Sequence, residues 1–220
     1  VELLSRLGYE VRCVNHGESG RAHMSKGLLE EAQKLAIENV RAFKDLVSAQ
    51  TPLIGIEPSA ILSFRDEYPK LVSKDLQETA KTLGENALMV EEFLMREVEA
   101  GRLNDNAFTT EPRQIMLHGH CHQKALAGIE PSAFILNLPR NYTVETIPSG
   151  CCGMAGSFGY EKEHYELSMT VGEQVLFPAV REASTAHIIA APGTSCRHQI
   201  KDGTKREALH PVEVLWGALK

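Results

Sequence analysis

Short apolar runs alternate with amphipathic segments along this chain, and this alternation restricts its fold more than any other feature. Five runs have the composition of buried strands, at residues 11–14, 53–56, 114–117, 142–147 and 187–191. Longer segments carry apolar residues at helical spacing, at residues 26–47, 84–100, 160–182 (with a break expected at Pro178) and 211–219. Strands that alternate with helices form largely parallel sheets covered by helices. We therefore predict an α/β fold.

The two halves of the chain contain related segments. Residues 9–20 and 142–153 align without a gap and share Tyr, Val, Gly and Gly at matching positions. We predict two tandem, pseudo-symmetric units, each with a small parallel sheet flanked by helices, over residues 1–103 and 104–220. The chain opens at Val1 within a helical pattern, so we expect a piece of a longer protein whose first unit is truncated. The hexapeptide GIEPSA occurs at residues 55–60 and 128–133, out of register with this repeat.

Charge and composition exclude several classes of protein. The net charge is −6 and the sequence pI is about 5.9, which gives no basic surface for nucleic acid or anionic lipid. No apolar run approaches the ~20 residues of a transmembrane helix. The cysteines number five, and an odd count does not suit the disulfide framework of a secreted protein. We therefore expect a cytoplasmic protein, at most peripheral at the inner face of a membrane, whose thiols have a metal or redox role.

Four of the five cysteines each follow a predicted strand: Cys121, Cys151, Cys152 and Cys196. In parallel α/β units the loops after the strands meet at one edge of the sheet, so three loops would bring these four thiols together. Four thiolates in one pocket repel each other unless a cation holds them, which indicates a metal ion or an iron–sulfur cluster. With a thiolate–metal bond of ~2.3 Å, the four sulfurs around one ion would lie within ~4 Å of one another. Cys13 lies inside a predicted strand, and we expect it in the core, away from the others.

Glycines surround the cysteine pair at every third position: Gly150, Gly153, Gly156 and Gly159. Glycine has no Cβ, so the backbone can approach a cluster closely and direct N–H groups at anionic sulfur. We therefore expect Gly150, Gly153 and Gly156 to contribute to cofactor binding. A dinucleotide-binding loop is the competing interpretation, but it requires the spacing GxGxxG and no central cysteines.

Histidines flank two of these cysteines: His118, His120, His122 and His198. They could donate hydrogen bonds to cluster sulfur, bind zinc directly, or cap turns, and the sequence leaves the three roles open. The charged residues Glu18, Arg21 and residues 65–67 lie near predicted turns, where we expect a solvated surface.

Three segments together resemble a known family: CCGMAGSFGYEKEH from Cys151, HGHCHQKAL around Cys121 and GTSCRHQ around Cys196. They are similar to the cysteine-rich CCG domain of heterodisulfide reductase and of the iron–sulfur subunits of glycolate oxidase and anaerobic glycerol-3-phosphate dehydrogenase. The same domain occurs in the iron–sulfur region of long FAD-linked dehydrogenases. Residues 16–29 (HGESGRAHMSKGLL) and 57–69 (EPSAILSFRDEYP) also resemble that last group.

The resemblance implies an iron–sulfur cluster of the 4Fe–4S type, or zinc as in some relatives, held by Cys121, Cys151, Cys152 and Cys196. The family pattern ends in CxxC or in a single Cys, and here Gly193 stands three residues before Cys196. The unusual noncubane cluster of heterodisulfide reductase uses five cysteines, so four favour an ordinary cluster. Residues 18–20 (ESG) replace CCG in the first half, so the first unit should bind no cluster.

The resemblance further implies an electron-transfer role. A flavin domain elsewhere in the full protein, holding FAD, would oxidise a 2-hydroxy acid, and this module would pass the electrons toward a quinone or another acceptor. On its own the module would not be catalytic. Two alternatives stay open: a structural zinc module that docks subunits, and a thiol–disulfide redox protein that uses Cys151 and Cys152.

Overall fold

The computed structural model describes every residue from Val1 to Lys220 and divides them into two compact units. The cysteine unit contains residues Val1–Arg12 and Glu91–Lys220, and the small unit contains residues Cys13–Val90. Each unit has one small parallel sheet flanked by helices, so the predicted α/β class is confirmed. None of the helices combines the length and the apolar character that crossing a bilayer requires.

The helices and strands have the following bounds, each type numbered in chain order. The helices are α1 (Glu2–Arg6), α2 (Arg21–Ser25), α3 (Leu29–Phe43), α4 (Pro58–Ile61), α5 (Tyr68–Leu71), α6 (Gln77–Glu85), α7 (Val90–Glu99), α8 (Cys121–Leu126), α9 (Glu130–Leu136), α10 (Tyr165–Glu173), α11 (Leu176–Glu182), α12 (Thr194–Thr204) and α13 (Pro211–Ala218). The strands are β1 (Leu53–Gly55), β2 (Ala87–Met89), β3 (Arg113–Leu117), β4 (Tyr142–Thr146), β5 (Ile188–Ala190) and β6 (Ala208–Leu209).

In the small unit, β1 pairs with β2 in parallel, with Leu53 opposite Ala87. The amphipathic helix α3 buries its apolar stripe, which consists of Ala32, Ala36, Val40 and Phe43. The prediction of one helix over residues 84–100 was wrong at its start, because residues 87–89 form β2 and α7 begins only at Val90. A short apolar run fits a buried strand and a helix turn equally well, and here pairing with β1 decides for the strand.

The strand predicted at residues 11–14 was also wrong. Residues 9–19 are irregular, and the two strands of the small unit pair with each other rather than with this segment. A strand is stable only when a neighbour completes its hydrogen bonds, so the alternating pattern alone did not produce one here.

The cysteine unit has a four-stranded parallel sheet with the order β4-β3-β5-β6. The central strand β3 pairs with both β4 and β5, so that Ile115 lies opposite Val144 on one side and Ile188 on the other. From β3 the chain continues to its neighbour β4, toward one edge of the sheet. From β5 it continues to its neighbour β6, toward the opposite edge. The carboxyl ends of β3 and β5 therefore flank the topological switch point, where open α/β sheets form their ligand crevice.

The helix predicted over residues 160–182 is split in two before Pro178. The proline lies in the first turn of α11, where its missing N–H costs nothing, and the break comes at Gln174 and Val175. The fully buried ring of Phe177 packs against Gly172 and Gly203, where an added Cβ would lie 2.3 and 2.4 Å from the ring. These two glycines let α10 and α12 approach the same aromatic ring closely.

Candidate metal centre

The loops after β3, β4 and β5 bring four thiols into a row at the carboxyl edge of the sheet. Cys121 lies within hydrogen-bonding reach of Cys151, Cys151 within reach of Cys152, and Cys152 within reach of Cys196. The three strands are neighbours, and parallel strands end at the same edge, so the topology accounts for the row. We call these four residues the cysteine row.

The cysteine row runs from the surface into the core. Cys121 is exposed, Cys151 is half-buried, Cys152 is 2% exposed and Cys196 is 0% exposed. The buried end packs among apolar side chains that include Ile147, Met154 and Ile189. One end of the row therefore lies in a low-dielectric interior while the other faces solvent.

The loop after β4 aims backbone N–H groups at sulfur. The N–H of Gly153 donates to Sγ of Cys151 at 3.2 Å, and that of Ala155 also points to this sulfur. Gly153 has a φ of +105° and its Cβ would lie 2.1 Å from the carbonyl oxygen of Ser168, so the loop tolerates only glycine there. Hydrogen bonds from Cys121 and Cys152, supported by these N–H groups, lower the pKa of the Cys151 thiol.

The other two glycines named by the sequence have different surroundings. Gly156 also has a positive φ, of +69°, as the loop turns toward α10. Gly150 has no atom within 4 Å of an added Cβ, and its carbonyl accepts a hydrogen bond from Nζ of Lys124. The same ammonium group donates to the carbonyl of Ser149 at 2.8 Å. Lys124 therefore holds the start of the loop that follows β4 and contains Cys151 and Cys152, which we call the cysteine loop.

Cys196 lies in the first turn of α12, an eleven-residue helix. The positive end of the helix favours a thiolate there, and the hydrogen bond from Cys152 lowers the pKa of the Cys196 thiol. Arg197 donates to the carbonyl oxygens of Ala191 and Pro192 at 3.0 and 2.7 Å, which ties the helix start to the end of β5.

Gly193 is where the resembling family can carry an additional cysteine. A Cβ at Gly193 would lie 2.4 Å from Cδ2 of His120 and 3.3 Å from Sγ of Cys196. The chain therefore has no room for a fifth thiol at this point without moving His120.

Cys121 begins α8, and His120 caps that helix. The N–H of His122 donates to Nδ1 of His120 at 3.2 Å, and Gln123 completes the capping box. Burial and the hydrogen bond with Cys151 raise the pKa of the Cys121 thiol, the hydrogen bond being the larger cause. The nearby charge of Lys124 acts in the opposite direction.

The structure separates the histidines that the sequence treated alike. His118 is fully buried, and one of its ring nitrogens lies within 4.8 Å of the sulfurs of Cys152 and Cys196. Its Nδ1 is 2.7 Å from Oγ of Ser149. His198 instead pairs with the hydroxyl of Tyr160, with 3.0 Å between Nδ1 and the phenolic oxygen.

The donor set fits a soft metal. Thiolates are the preferred ligands of iron–sulfur clusters and zinc, and the N–H groups and helix end offset the charge that such a centre carries. The expectation that all four sulfurs lie within ~4 Å, as around one zinc ion, is not met. The one set of three donors whose ligand atoms all lie within 4.8 Å is His118, Cys152 and Cys196. A cluster bonds each thiolate to a different metal atom, so it accepts the wider spacing of the row.

The chain is similar to proteins named as dehydrogenases or as a dehydrogenase subunit. The chain is 30% identical over 98% of its length to D-2-hydroxyglutarate dehydrogenase of Pseudomonas putida and covers 20% of that protein. It is 26% identical over its full length to D-2-hydroxyglutarate dehydrogenase of Escherichia coli, of which it covers 21%. It is also 26% identical over its full length to a subunit of the anaerobic glycerol-3-phosphate dehydrogenase of Escherichia coli, and it covers 54% of that subunit.

The chain thus spans about a fifth to about half of the length of these relatives. No family model matches the chain. No solved structure matches it either. The cysteine segments resemble a domain of dehydrogenases, and the names of these relatives support that resemblance. The buried cluster of His118, Cys152 and Cys196 is compatible with metal binding.

The small unit has no thiol at the place that corresponds to the cysteine pair. Asn39 donates to the carbonyl of Glu18 at 2.8 Å, and the hydroxyl of Tyr68 donates to the carbonyl of Ser19 at 2.9 Å.

The prediction that Cys13 is a core residue was wrong, because its segment forms no strand and leaves the thiol exposed.

The charged residues of the small unit are less solvated than predicted. Arg21 forms an ion pair with Glu67, with side-chain exposures of 33% and 21%. Arg65 is half-buried and donates to the carbonyl of Ala87 at 2.8 Å, while Glu18 is exposed as predicted. Backbone carbonyls and counter-charges inside the unit, which the sequence does not reveal, account for the burial.

Proposed function

We propose that this chain is the iron–sulfur electron-transfer module of a flavin-linked 2-hydroxyacid dehydrogenase. In this proposal it carries electrons from a flavin toward a quinone or another acceptor. The observation that supports it is the cysteine row, in which three neighbouring strand ends deliver four thiols to one edge of the sheet. The names of the relatives supply the class of reaction, and their greater length leaves room for a flavin-binding part outside this chain.

Different residues of the chain would bind the metal centre, stabilise its charge and exclude water from it. Cys121, Cys151, Cys152 and Cys196 would be the ligands, and a bound 4Fe–4S cluster would supply one-electron chemistry. The N–H of Gly153 and the start of α12 would stabilise the negative charge on sulfur. The buried end of the row excludes water, whereas Cys121 is exposed and marks the side from which a partner could exchange electrons.

Anaerobic reconstitution with iron and sulfide tests this proposal. We expect a coloured chain with about four iron and four sulfide per molecule, as a 4Fe–4S cluster requires, and a paramagnetic signal in the reduced or oxidised form. Cys152→Ser should abolish cluster binding, because serine is a poor ligand for soft iron, and Cys13→Ser should leave it unchanged. A chain that binds no iron, or iron without sulfide, would refute the proposal.

A structural zinc module is the second candidate, and one observation favours it. His118, Cys152 and Cys196 are close enough together to bind a single ion. Zinc has no accessible redox change and could only stabilise the fold or a subunit contact. One zinc per chain, bound after anaerobic purification in preference to iron and sulfide, would decide for this candidate.

The thiol–disulfide alternative uses Cys151 and Cys152, whose thiols lie within hydrogen-bonding reach of each other. It requires activity in the metal-free chain. Turnover with a disulfide substrate after complete removal of metal would favour it over both metal-binding functions.

A further inference from the structure

His118 leaves one ring nitrogen without a partner in the core of the cysteine unit. The residue follows β3 directly and is 0% exposed. Nδ1 is 2.7 Å from Oγ of Ser149, whereas buried Nε2 has no hydrogen-bond partner. The ligand atom of His118 lies within 4.8 Å of the sulfurs of Cys152 and Cys196. Buried polar atoms without partners are rare and point to a group that completes them.

We propose that His118 is a positioning residue whose Nε2–H donates a hydrogen bond to the sulfur of Cys196 when that sulfur is a metal-bound thiolate. This inference rests on the proposed metal-bearing role of the cysteine row. A bare Nε2 would place its lone pair against the lone pairs of sulfur and leave both groups unsatisfied. An N–H at the same place satisfies both.

Ser149 would select the tautomer that this proposal requires. If its hydroxyl donates to Nδ1, the proton of the neutral imidazole must be on Nε2. Ser149 is itself 7% exposed, and its carbonyl accepts a hydrogen bond from Lys124. Lys124 therefore holds Ser149, Ser149 orients His118, and His118 faces the buried end of the row.

The N–H···S hydrogen bond would tune the centre. It withdraws negative charge from the thiolate, which stabilises the reduced state with its additional electron and raises the reduction potential. Cys196 is 0% exposed, so no water molecule can replace the donor. Removal of the His118 donor should therefore lower the potential, while the ligand set stays intact.

The first test is a redox titration of the reconstituted chain. In His118→Leu the reduction potential of the cluster should fall by ~59 mV for one electron. At a fixed solution potential, this shift makes the ratio of reduced to oxidised cluster about tenfold smaller. His118→Gln retains a donor and should recover most of the shift. The control is His187→Gln, because His187 is half-buried and pairs with Gln114 at the opposite end of β3 and β5. An unchanged potential in His118→Leu, or loss of iron from it as expected for a ligand, would overturn the proposal.

The second test needs no metal. Nitrogen-15 NMR of the reduced, metal-free chain should show the proton of His118 on Nε2, and Ser149→Ala should weaken that preference. A proton on Nδ1 with a bare Nε2 would contradict the proposal, whether or not His118→Leu folds. If the chain binds no iron, the proposed function fails, and the tautomer of His118 still decides this inference separately.

Discussion

Exposure differs along the cysteine row, and it predicts the order in which the thiols react. In the metal-free chain, Cys13 and Cys121 are exposed, while Cys152 and Cys196 are buried. Alkylation followed by mass spectrometry should label the buried pair last. Metal loading should protect Cys121 and leave the labelling rate of Cys13 unchanged, so Cys13 is an internal control. A Cys121 labelling rate that metal loading leaves unchanged would show that Cys121 is not a ligand.

The cysteine loop should tolerate a methyl group at one glycine and not at another. Gly153→Ala forces a positive φ and a Cβ 2.1 Å from a carbonyl oxygen, and we expect a loss of ~2–4 kcal/mol in the free energy of unfolding. Gly150→Ala meets no atom within 4 Å and should change it by less than ~0.5 kcal/mol. Urea unfolding measures both. Equal effects would mean that the loop does not hold the conformation described.

An ion pair between buried Glu97 and exposed Arg102, at the end of α7, makes stability depend on pH. Glu97 accepts two hydrogen bonds from Arg102, at 2.6 and 2.7 Å, and these lower its pKa below the ordinary value of 4.5. A carboxyl with a lowered folded pKa contributes stability above its unfolded pKa and loses it as the pH falls through the folded value. The free energy of unfolding should therefore drop below about pH 4.5, and less so in Glu97→Gln. An identical pH profile for the two chains would contradict the assignment.

Residue-level roles were the least accessible from the sequence. His118, His120 and His122 alternate along one short segment, yet His118 is the one that forms a possible metal-binding set with Cys152 and Cys196, and His120 caps α8. That difference depends on where the helix begins, which the spacing does not reveal. Backbone hydrogen bonds in turn decide that Gly153, and not Gly150, meets sulfur.

At the scale of elements, apolar runs predicted the strands of the cysteine unit well. β3, β4 and β5 lie within the predicted ranges or extend them by one residue, because each has apolar residues that a parallel sheet buries. β2 was missed, since its three residues continue into the apolar face of α7.

The repeated hexapeptide GIEPSA has a local explanation at this scale. Both copies begin a helix: α4 starts at Pro58 and α9 starts at Glu130, followed by Pro131. Proline fits the first turn of a helix, and in the first copy the Glu57 side chain also accepts from the N–H of Ser59. The repetition therefore reflects helix initiation and needs no shared ligand.

Two helical glycines should respond in opposite directions to alanine. Gly172→Ala places a Cβ 2.3 Å from the buried ring of Phe177, and overpacking should cost ~1–3 kcal/mol. Gly217 in α13 meets no atom within 4 Å, so alanine should stabilise the chain by up to ~1 kcal/mol through helix propensity. Thermal unfolding of the two variants gives the sign directly. Stabilisation by Gly172→Ala would show that α10 and Phe177 are not packed as described.

At the scale of the whole molecule, the convergence of four thiols was the inference that topology supported best. It required only that three strands be parallel and end at one edge, and the order β4-β3-β5 makes them neighbours. The division into two related units remains a proposal, with compact units at Cys13–Val90 and in the rest of the chain. The aligned segments, residues 9–20 and 142–153, both end at a glycine with positive φ: Gly20 at +73° and Gly153 at +105°.

The measurement that tests the central claim most directly separates the two half-reactions in the complete flavin-containing enzyme. Rapid mixing follows flavin reduction by the hydroxy acid, and steady-state turnover with a quinone analogue follows electron delivery. Cys152→Ser should leave flavin reduction largely intact and abolish delivery, because the thiolates hold the relay and the flavin performs the substrate chemistry. Ser19→Ala, at the corresponding place in the small unit, should preserve both steps. If both steps survive Cys152→Ser, the cysteine row is not on the electron path.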